Sequence, residues 1–347
     1  MADYHEEVKN KLTIKLREIL TELPEFCREF FLALANSREI RTRVAYSYDL
    51  KVFFKYLTEE CPKFKGISVK EFTIEDLAKV KTIDINEFMS YTEYYINDEG
   101  EKKSNHENGK SRKLAAVRSL FKYFYRMEKI PANPAELVMS PKIHDKEIVR
   151  LEPNETAELL DVIETGDKLS EGEKRFYGKT GKRDLAIVTL LLGTGMRVSE
   201  CVGIDINDIN FDINGVKIIR KGGNEMVVYF GEEVEKALRD YLEERKAAEP
   251  KPGNENALFL SIQNKRIGVR AVEKLVKKYA GKVTTLKKIS PHKLRSTYGT
   301  TLYNETGDIY LVADVLGHKD VNTTKKHYAQ MQDDNRRRAA RAVKLRD

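Results

Sequence analysis

Six side chains in the second half of the chain have the chemistry to act on a phosphodiester. Arg197 lies in GTGMRVSE, Lys221 in the glycine turn RKGGN, His292 and Arg295 in PHKLR, His318 in LGHKD and Tyr328 in HYAQ. Two guanidiniums, an ammonium and two imidazoles all donate hydrogen bonds to phosphate oxygens, and arginine does so through a fixed bidentate fork. A phenol has a pKa near 10 and is a weak nucleophile at neutral pH. To attack phosphorus it needs a proton acceptor and an electropositive pocket, and the other five residues supply both.

Taken singly, each residue has an ordinary explanation. An arginine after a glycine-rich turn is commonly a surface cation, a lysine beside a hairpin turn is commonly solvated, and most of 17 tyrosines pack in or on the core. The ordered combination is what points to a site. The chain has no Walker GxxxxGK[ST] loop, no HExxH and no carboxylate cluster, so neither nucleotide-driven chemistry nor metal-assisted hydrolysis is indicated. No cofactor and no metal are expected.

These residues must be held by two different kinds of domain. From Leu12 to about Val138 apolar residues recur at helical spacing. One helix runs through IRTRVAYSYDLKVFFKYL, with Val44, Tyr48, Val52, Phe53 and Tyr56 near one face, Arg41 and Arg43 off it, and an end marked by Cys61-Pro62. A second, SRKLAAVRSLFKYFYRMEKI, has a cap at Ser111, a stripe of Leu114, Val117, Leu120, Phe121 and Phe124, and a stop at Pro131. Between Lys110 and Lys129 it carries seven basic residues and one acid. Either a solvated face or a DNA-facing one fits that count, and two basic, aromatic helices in one domain favour DNA. The candidate contacts are Arg41, Arg43, Lys110, Arg112, Lys113, Arg118 and Lys122.

A charged, proline-containing stretch reads as a linker. Beyond it, VKIIRKGGNEMVVYF places two β-rich runs on either side of Gly222-Gly223-Asn224 and reads as a hairpin among helices. The expected division is a helical domain over 1–140, a linker over 141–153, a second domain over 154–332 and a tail over 333–347.

Charge agrees with a polyanionic partner. The 347 residues carry 62 Lys+Arg against 55 Asp+Glu, a formal net charge of +7, and 34% are charged against roughly 25% for an average protein. Cys27, Cys61 and Cys201 show no CxxC and no regular spacing, which argues against a disulfide framework or a structural zinc site. MADYHEEVKNKL lacks the layout of a signal peptide, and no apolar run reaches the ~18 residues needed to span a bilayer. A cytoplasmic protein without membrane insertion is the expectation.

LLLGTGMRVSECVGIDINDIN, RKGG, SPHKLRSTYGTTLY and LGHKDVNTTKKHYAQ resemble the successive signature boxes of the tyrosine recombinase, or phage integrase-type, family. RVAYSYDLKVFFKYL and SRKLAAVRSLFKYFYRMEKIPANPA are similar to the core-binding domain of Xer-type members, and LPEFCREFFLAL and RDLAIVTLLLGTGMRVSE are most like the single-recombinase XerS kind. The resemblance implies a mainly α fold with a small β-sheet: an N-terminal all-helical, SAM-like core-binding domain and a C-terminal α+β catalytic domain. It implies that Arg197 and Arg295 grip the scissile phosphate, His292 accepts the tyrosine proton, Lys221 protonates the departing 5′ oxygen, His318 binds a non-bridging oxygen and Tyr328 is the nucleophile. Glu200 would orient this site. His318 and Tyr328 are ten residues apart, and His327 stands beside Tyr328 as a neighbour or a competing base.

The implied partners are double-stranded DNA with an inverted-repeat site, three further copies of the chain in a tetramer on synapsed DNA, and an accessory protein of unknown kind. The tail DNRRRAARAVKLRD would dock on the neighbouring subunit through Ala339, Ala340, Val343 and Leu345. Chromosome dimer resolution and integration or excision of a mobile element are both open roles. An architectural DNA-binding protein with an idle site and a type IB topoisomerase are the alternatives.

Overall fold

A computed structural model describes residues 4–97, 100–144, 149–220, 223–317 and 321. The chain divides into two compact units, 1–146 and 147–347.

The first unit contains α1 (Tyr4–Leu20), α2 (Cys27–Leu34), α3 (Ile40–Glu59), α4 (Ile74–Lys79), α5 (Thr82–Tyr91), the strands β1 (Tyr94–Ile96) and β2 (Lys102–Ser104), and α6 (Glu107–Arg126). Its core is largely aromatic. Phe30, Phe53, Phe88, Phe121 and Phe124 are fully buried, and the rings of Phe53 and Phe88 meet edge-to-face at 5.0 Å. Each such ring contributes on the order of 2–3 kcal/mol by leaving water.

The α6 stripe is buried at all five expected positions. The helix begins earlier than Ser111, with His106 as its N-cap, and ends at Arg126, where Glu128 adopts φ 56° and turns the chain before Pro131. On α3 the buried set is Val44, Leu50, Phe53, Phe54, Tyr56 and Leu57, whereas Tyr48 is 43% exposed. The helix packs against α1, α5 and α6, so its buried surface is broader than a single stripe. The first domain is not wholly helical. β1 and β2 pair antiparallel, Tyr95 opposite Lys103, and Tyr95 stacks on Tyr91 at 5.5 Å.

The second unit contains α7 (Pro153–Thr165), α8 (Glu171–Thr194), α9 (Val198–Cys201), β3 (Ile209–Asn210), β4 (Gly215–Ile219), β5 (Glu225–Tyr229), α10 (Glu232–Lys246), α11 (Val269–Val283), α12 (Pro291–Thr306) and α13 (Ile309–Leu316). The long α8 is central and packs on α7, α10 and α12 through residues such as Ile187, Leu190 and Leu191. The sheet order is β3-β4-β5, all antiparallel, and the β4–β5 register runs from Gly215↔Tyr229 to Ile219↔Glu225. This is the hairpin expected around the double glycine. Mainly helical with a small sheet, the fold agrees with the class read from the sequence.

The start of α8 is fixed by one carboxylate. Glu173 Oε2 accepts from the backbone N and the hydroxyl of Ser170, both at 2.8 Å, and from Lys282 Nζ of α11 at 3.0 Å. The Ser170 backbone bond, then Lys282, pull its pKa down to about 2, from an ordinary value of about 4.3. A depressed carboxylate pKa stabilises the fold above the unfolded value, and that stabilisation is lost as pH falls through the folded one. Thermal melts of wild type and Glu173→Gln should therefore differ at pH 6 to 7, with the variant lower, and converge as pH falls from about 4 to 2.

Candidate active site

The site is built where α8 ends. Its C-cap, Gly195, has φ +63°, and a Cβ there would overlap the ring of Tyr298, so the turn requires glycine twice over. The turn delivers Arg197 as the N-cap of α9. Glu200, only 4% exposed, closes a capping box onto it: Oε2 accepts from the Arg197 backbone N at 2.7 Å and Oε1 from Nη1 at 2.9 Å. One buried carboxylate thus fixes both the backbone and the guanidinium of Arg197. The Arg197 side chain remains about a third exposed and within reach of a ligand.

Arg295 comes from α12, three residues after His292 and therefore near the same helix face. His292 is exposed in the first turn, where the helix dipole favours an anion. Arg295 is 6% exposed. Its Nη1 donates to the carbonyl of Gly195 at 2.5 Å and its Nη2 to that of Leu316. The Gly195 bond ties the second arginine to the turn that carries the first.

Leu316 O is one of the last carbonyls of α13, which carry the negative end of the helix dipole. Three arginines converge on them. Arg220, just past β4, donates Nη1 to Asp314 O at 3.3 Å and Nη2 to Val315 O at 2.6 Å; Arg295 takes Leu316 O; Arg197 Nη2 reaches Gly317 O at 3.5 Å. Four consecutive carbonyls are held by three guanidiniums from three elements. Gly317 has φ +64°, and a Cβ on it would collide with the Arg220 guanidinium. Burial lowers the Arg220 pKa, with Glu200 opposing and Arg197 reinforcing that shift.

The structure thus brings together Arg197, Glu200 and Arg295, with His292 on the Arg295 helix. Lys221, His318 and Tyr328, together with His327 and the tail over 333–347, lie outside the described residues. Arg220 is the residue that sequence reasoning missed. Its one signal was a second cation directly before Lys221, and nothing in that pattern says which way it points.

In the first unit the proposed DNA contacts separate into kinds. Arg41 and Lys122 are exposed, and Arg43 is half-buried. Lys110 pairs with Glu93 at 2.7 Å. Arg112 keeps some exposure while its Nη1 sits 2.7 Å from Asp49 Oδ2 and donates to Ala45 O. Lys113 is 4% exposed, its ammonium 3.2 Å from Asp49 Oδ1. Asp49 is itself 1% exposed, and burial raises its pKa against the pull of Lys113 and Arg112. Lys113 therefore joins α6 to α3. Arg118 donates to Ala135 O, Val138 O and the Ser140 hydroxyl, and so clamps the segment that follows α6. The charges of Lys113 and Arg118 are thus engaged within the domain.

The model of the phage integrase family matches residues 149–335. A tyrosine recombinase XerC from Caldanaerobacter subterraneus subsp. tengcongensis is 34% identical over 327 residues, 90% of this chain and 86% of that protein. A XerS from Streptococcus agalactiae serotype III is 29% identical over 338 residues, covering 89% and 93%. Among solved structures, XerH bound to palindromic difH DNA matches with a TM-score of 0.62 at 19% identity, over 83% of this chain and 75% of that one. The Tn1549 transposon integrase with circular intermediate DNA matches at 0.61 and 21%, over 87% and 94%. The chain belongs to the phage integrase family, the tyrosine recombinases, and is of the Xer type.

Loss of Lys113 and loss of Lys122 should have opposite signatures. Lys113→Ala should lower stability by about 1–3 kcal/mol, because it removes a buried partner of Asp49, and leave the salt dependence of duplex binding unchanged. Lys122→Ala should leave the melting temperature alone and reduce the slope of log K against log salt by about 1. Titrations of duplex DNA at several salt concentrations, alongside thermal melts, check both.

Proposed function

We propose that the chain recombines DNA at an inverted-repeat site through a 3′-phosphotyrosyl intermediate on Tyr328. The Tyr328 oxygen bonds to phosphorus as the bond to the 5′ oxygen breaks. His292 takes the phenolic proton, and Lys221 supplies the proton that leaves with the 5′ hydroxyl. His318 donates to a non-bridging oxygen. The freed 5′ hydroxyl then attacks the equivalent phosphotyrosine on a second, synapsed strand. The bond energy is kept in the intermediate, so the cycle needs no nucleotide and no metal.

The observation that carries this reading is the anchoring of Arg197 and Arg295. Spontaneous phosphodiester cleavage is extremely slow, so most of the acceleration must come from charge stabilisation by groups already in place. Glu200, Gly195, Leu316 and Gly317 hold these two guanidiniums without help from DNA. Removing either arginine should cost on the order of 10²-fold or more in cleavage rate, by comparison with loss of an oxyanion donor.

A groove in the second unit supports a head-to-tail assembly. Its floor includes Ala157, Leu160, Leu192 and Leu302, and Glu233 and Glu305 also line it. The sequence from Arg336 onward carries six basic residues and a narrow apolar stripe, which suits such a groove on a neighbouring copy. A head-to-tail contact of this kind closes into a ring, here a tetramer on two synapsed sites. Duplex DNA and the surfaces of Arg41, Arg43, Lys110, Arg112 and Lys122 complete the complex, with any accessory protein acting on it from outside.

Likeness to XerC and XerS proteins supports chromosome dimer resolution in the bacterial cytoplasm, of the single-recombinase kind suggested by the leading segment. Integration or excision of a mobile element is the other role the same chemistry serves. No described helix is long and apolar enough to cross a membrane.

The test is covalent capture. Wild type and Tyr328→Phe are expressed in the host, denatured rapidly in detergent, and protein-linked DNA is sequenced. Wild-type adducts confined to one short inverted repeat and absent from the variant are expected; adducts that persist in the variant would assign the nucleophile elsewhere. A repeat near the chromosome terminus supports dimer resolution, and one at an element boundary supports the mobile role.

A further inference from the structure

We propose that Arg220 is a positioning residue for phosphate binding, acting through the carbonyl end of α13 to set Arg197 and Arg295. This rests on the reading of those two arginines as phosphate ligands.

Arg220 joins the hairpin to that helix end. Its backbone N donates to Asn224 O at 2.8 Å and its carbonyl accepts from Gly223 N at 3.0 Å, so its main chain closes the β4–β5 turn. The side chain leaves the hairpin for Asp314 O and Val315 O, 94 and 95 residues on. The next two carbonyls of the same helix end are those taken by Arg295 and Arg197. A helix terminus is a rigid object, because its carbonyls are spaced by the helix itself. Fixing those of Asp314 and Val315 fixes that of Leu316, and Gly317 follows as the left-handed cap, held against the Arg220 guanidinium.

The close approach is specific. Gly317 lies so near the guanidinium that no Cβ fits between them, and its left-handed φ of +64° turns its carbonyl toward Arg197. Among the described charged groups, Glu200, Arg197 and Asp314 act on Arg220 electrostatically. It therefore sits within the field of the Arg197–Glu200 pair while donating to neither. A flexible ammonium could not reproduce this arrangement, since two carbonyls one residue apart call for the planar fork of arginine.

A substrate with altered charge separates positioning from general destabilisation. The probe is a duplex carrying the site recovered by covalent capture, with either a normal scissile phosphate or a methylphosphonate, in which a methyl group replaces one non-bridging oxygen and removes its negative charge. Adduct formation is followed in a single turnover with wild type, Arg220→Ala, Arg220→Lys and Arg197→Ala, and duplex affinity and melting temperature are measured in parallel.

On the phosphate, Arg220→Ala should form adduct about 10²-fold more slowly, as expected for a small misplacement of reacting groups, with duplex affinity unchanged. On the methylphosphonate the ratio of wild type to variant should shrink toward one, as it should for Arg197→Ala. Arg220→Lys should retain the defect on phosphate although it keeps the charge; it also carries the test if the alanine variant does not fold. An Arg220 defect equal on both substrates, or no defect on phosphate, overturns the proposal. If instead Arg197→Ala is equally impaired on both, the assignment of the phosphate ligands fails, and this inference falls with it.

Discussion

The site in the second unit depends on bonds between arginine guanidiniums and the main-chain carbonyls of one helix end. The last carbonyls of α13 carry the negative end of its dipole, and of the described backbone N–H groups only that of Gly317 donates to one of the four that the arginines hold, Asp314 O. Arg220, Arg295 and Arg197 arrive there from the hairpin, from α12 and from the turn after α8. Arg295 also holds Gly195 O, so the end of α8 and the end of α13 are joined through one side chain. Two glycines make this possible. At Gly195 a side chain would displace Tyr298, and at Gly317 it would displace Arg220. Preorganisation of positive charge and the packing of these helix ends are consequently one property of the fold.

The same device recurs away from the site, and it alters what the basic composition means. Arg183 donates to Leu260 O, Arg245 to Ala257 O and Glu255 O, and Arg266 to Val202 O and Ile204 O. Arg118 performs this task in the first unit. These cations hold loops to the core, and their charge is compensated locally by carbonyl dipoles and, for Arg183 and Arg266, by the carboxylates of Asp184 and Asp205. A net charge of +7 is therefore not spread evenly over a DNA-facing surface. The exposed subset, including Arg41 and Lys122, is what a duplex would meet.

How much of this could be read from the sequence varied with the range of the interaction. The α6 stripe was legible because one face of that helix meets the core; α3 was misread at Tyr48 because it packs on three neighbours. The β4–β5 hairpin announces itself through β-rich runs around two glycines, whereas β1 and β2 are three residues each, too short for an alternation to show, and β2 is Lys-Lys-Ser. Arg197 and Arg295 were found through ordered motifs. Arg220 was not, because its role is set by carbonyls more than ninety residues away, and carbonyls leave no trace in a sequence. The burial of Lys113 was illegible for a similar reason: its partner, Asp49, lies 64 positions earlier, and a lysine in a basic run gives no sign of being buried.

If the reaction uses the fork of Arg295 as Gly195 and Leu316 fix it, the geometry of that side chain matters beyond its charge. Arg295→Lys keeps the charge and removes the fork, so the most direct measurement is the single-turnover rate of covalent adduct formation by this variant on saturating site DNA. A loss of about 10²-fold or more is expected, with duplex affinity retained. A rate close to wild type would show that a point charge suffices and that the fork is not needed.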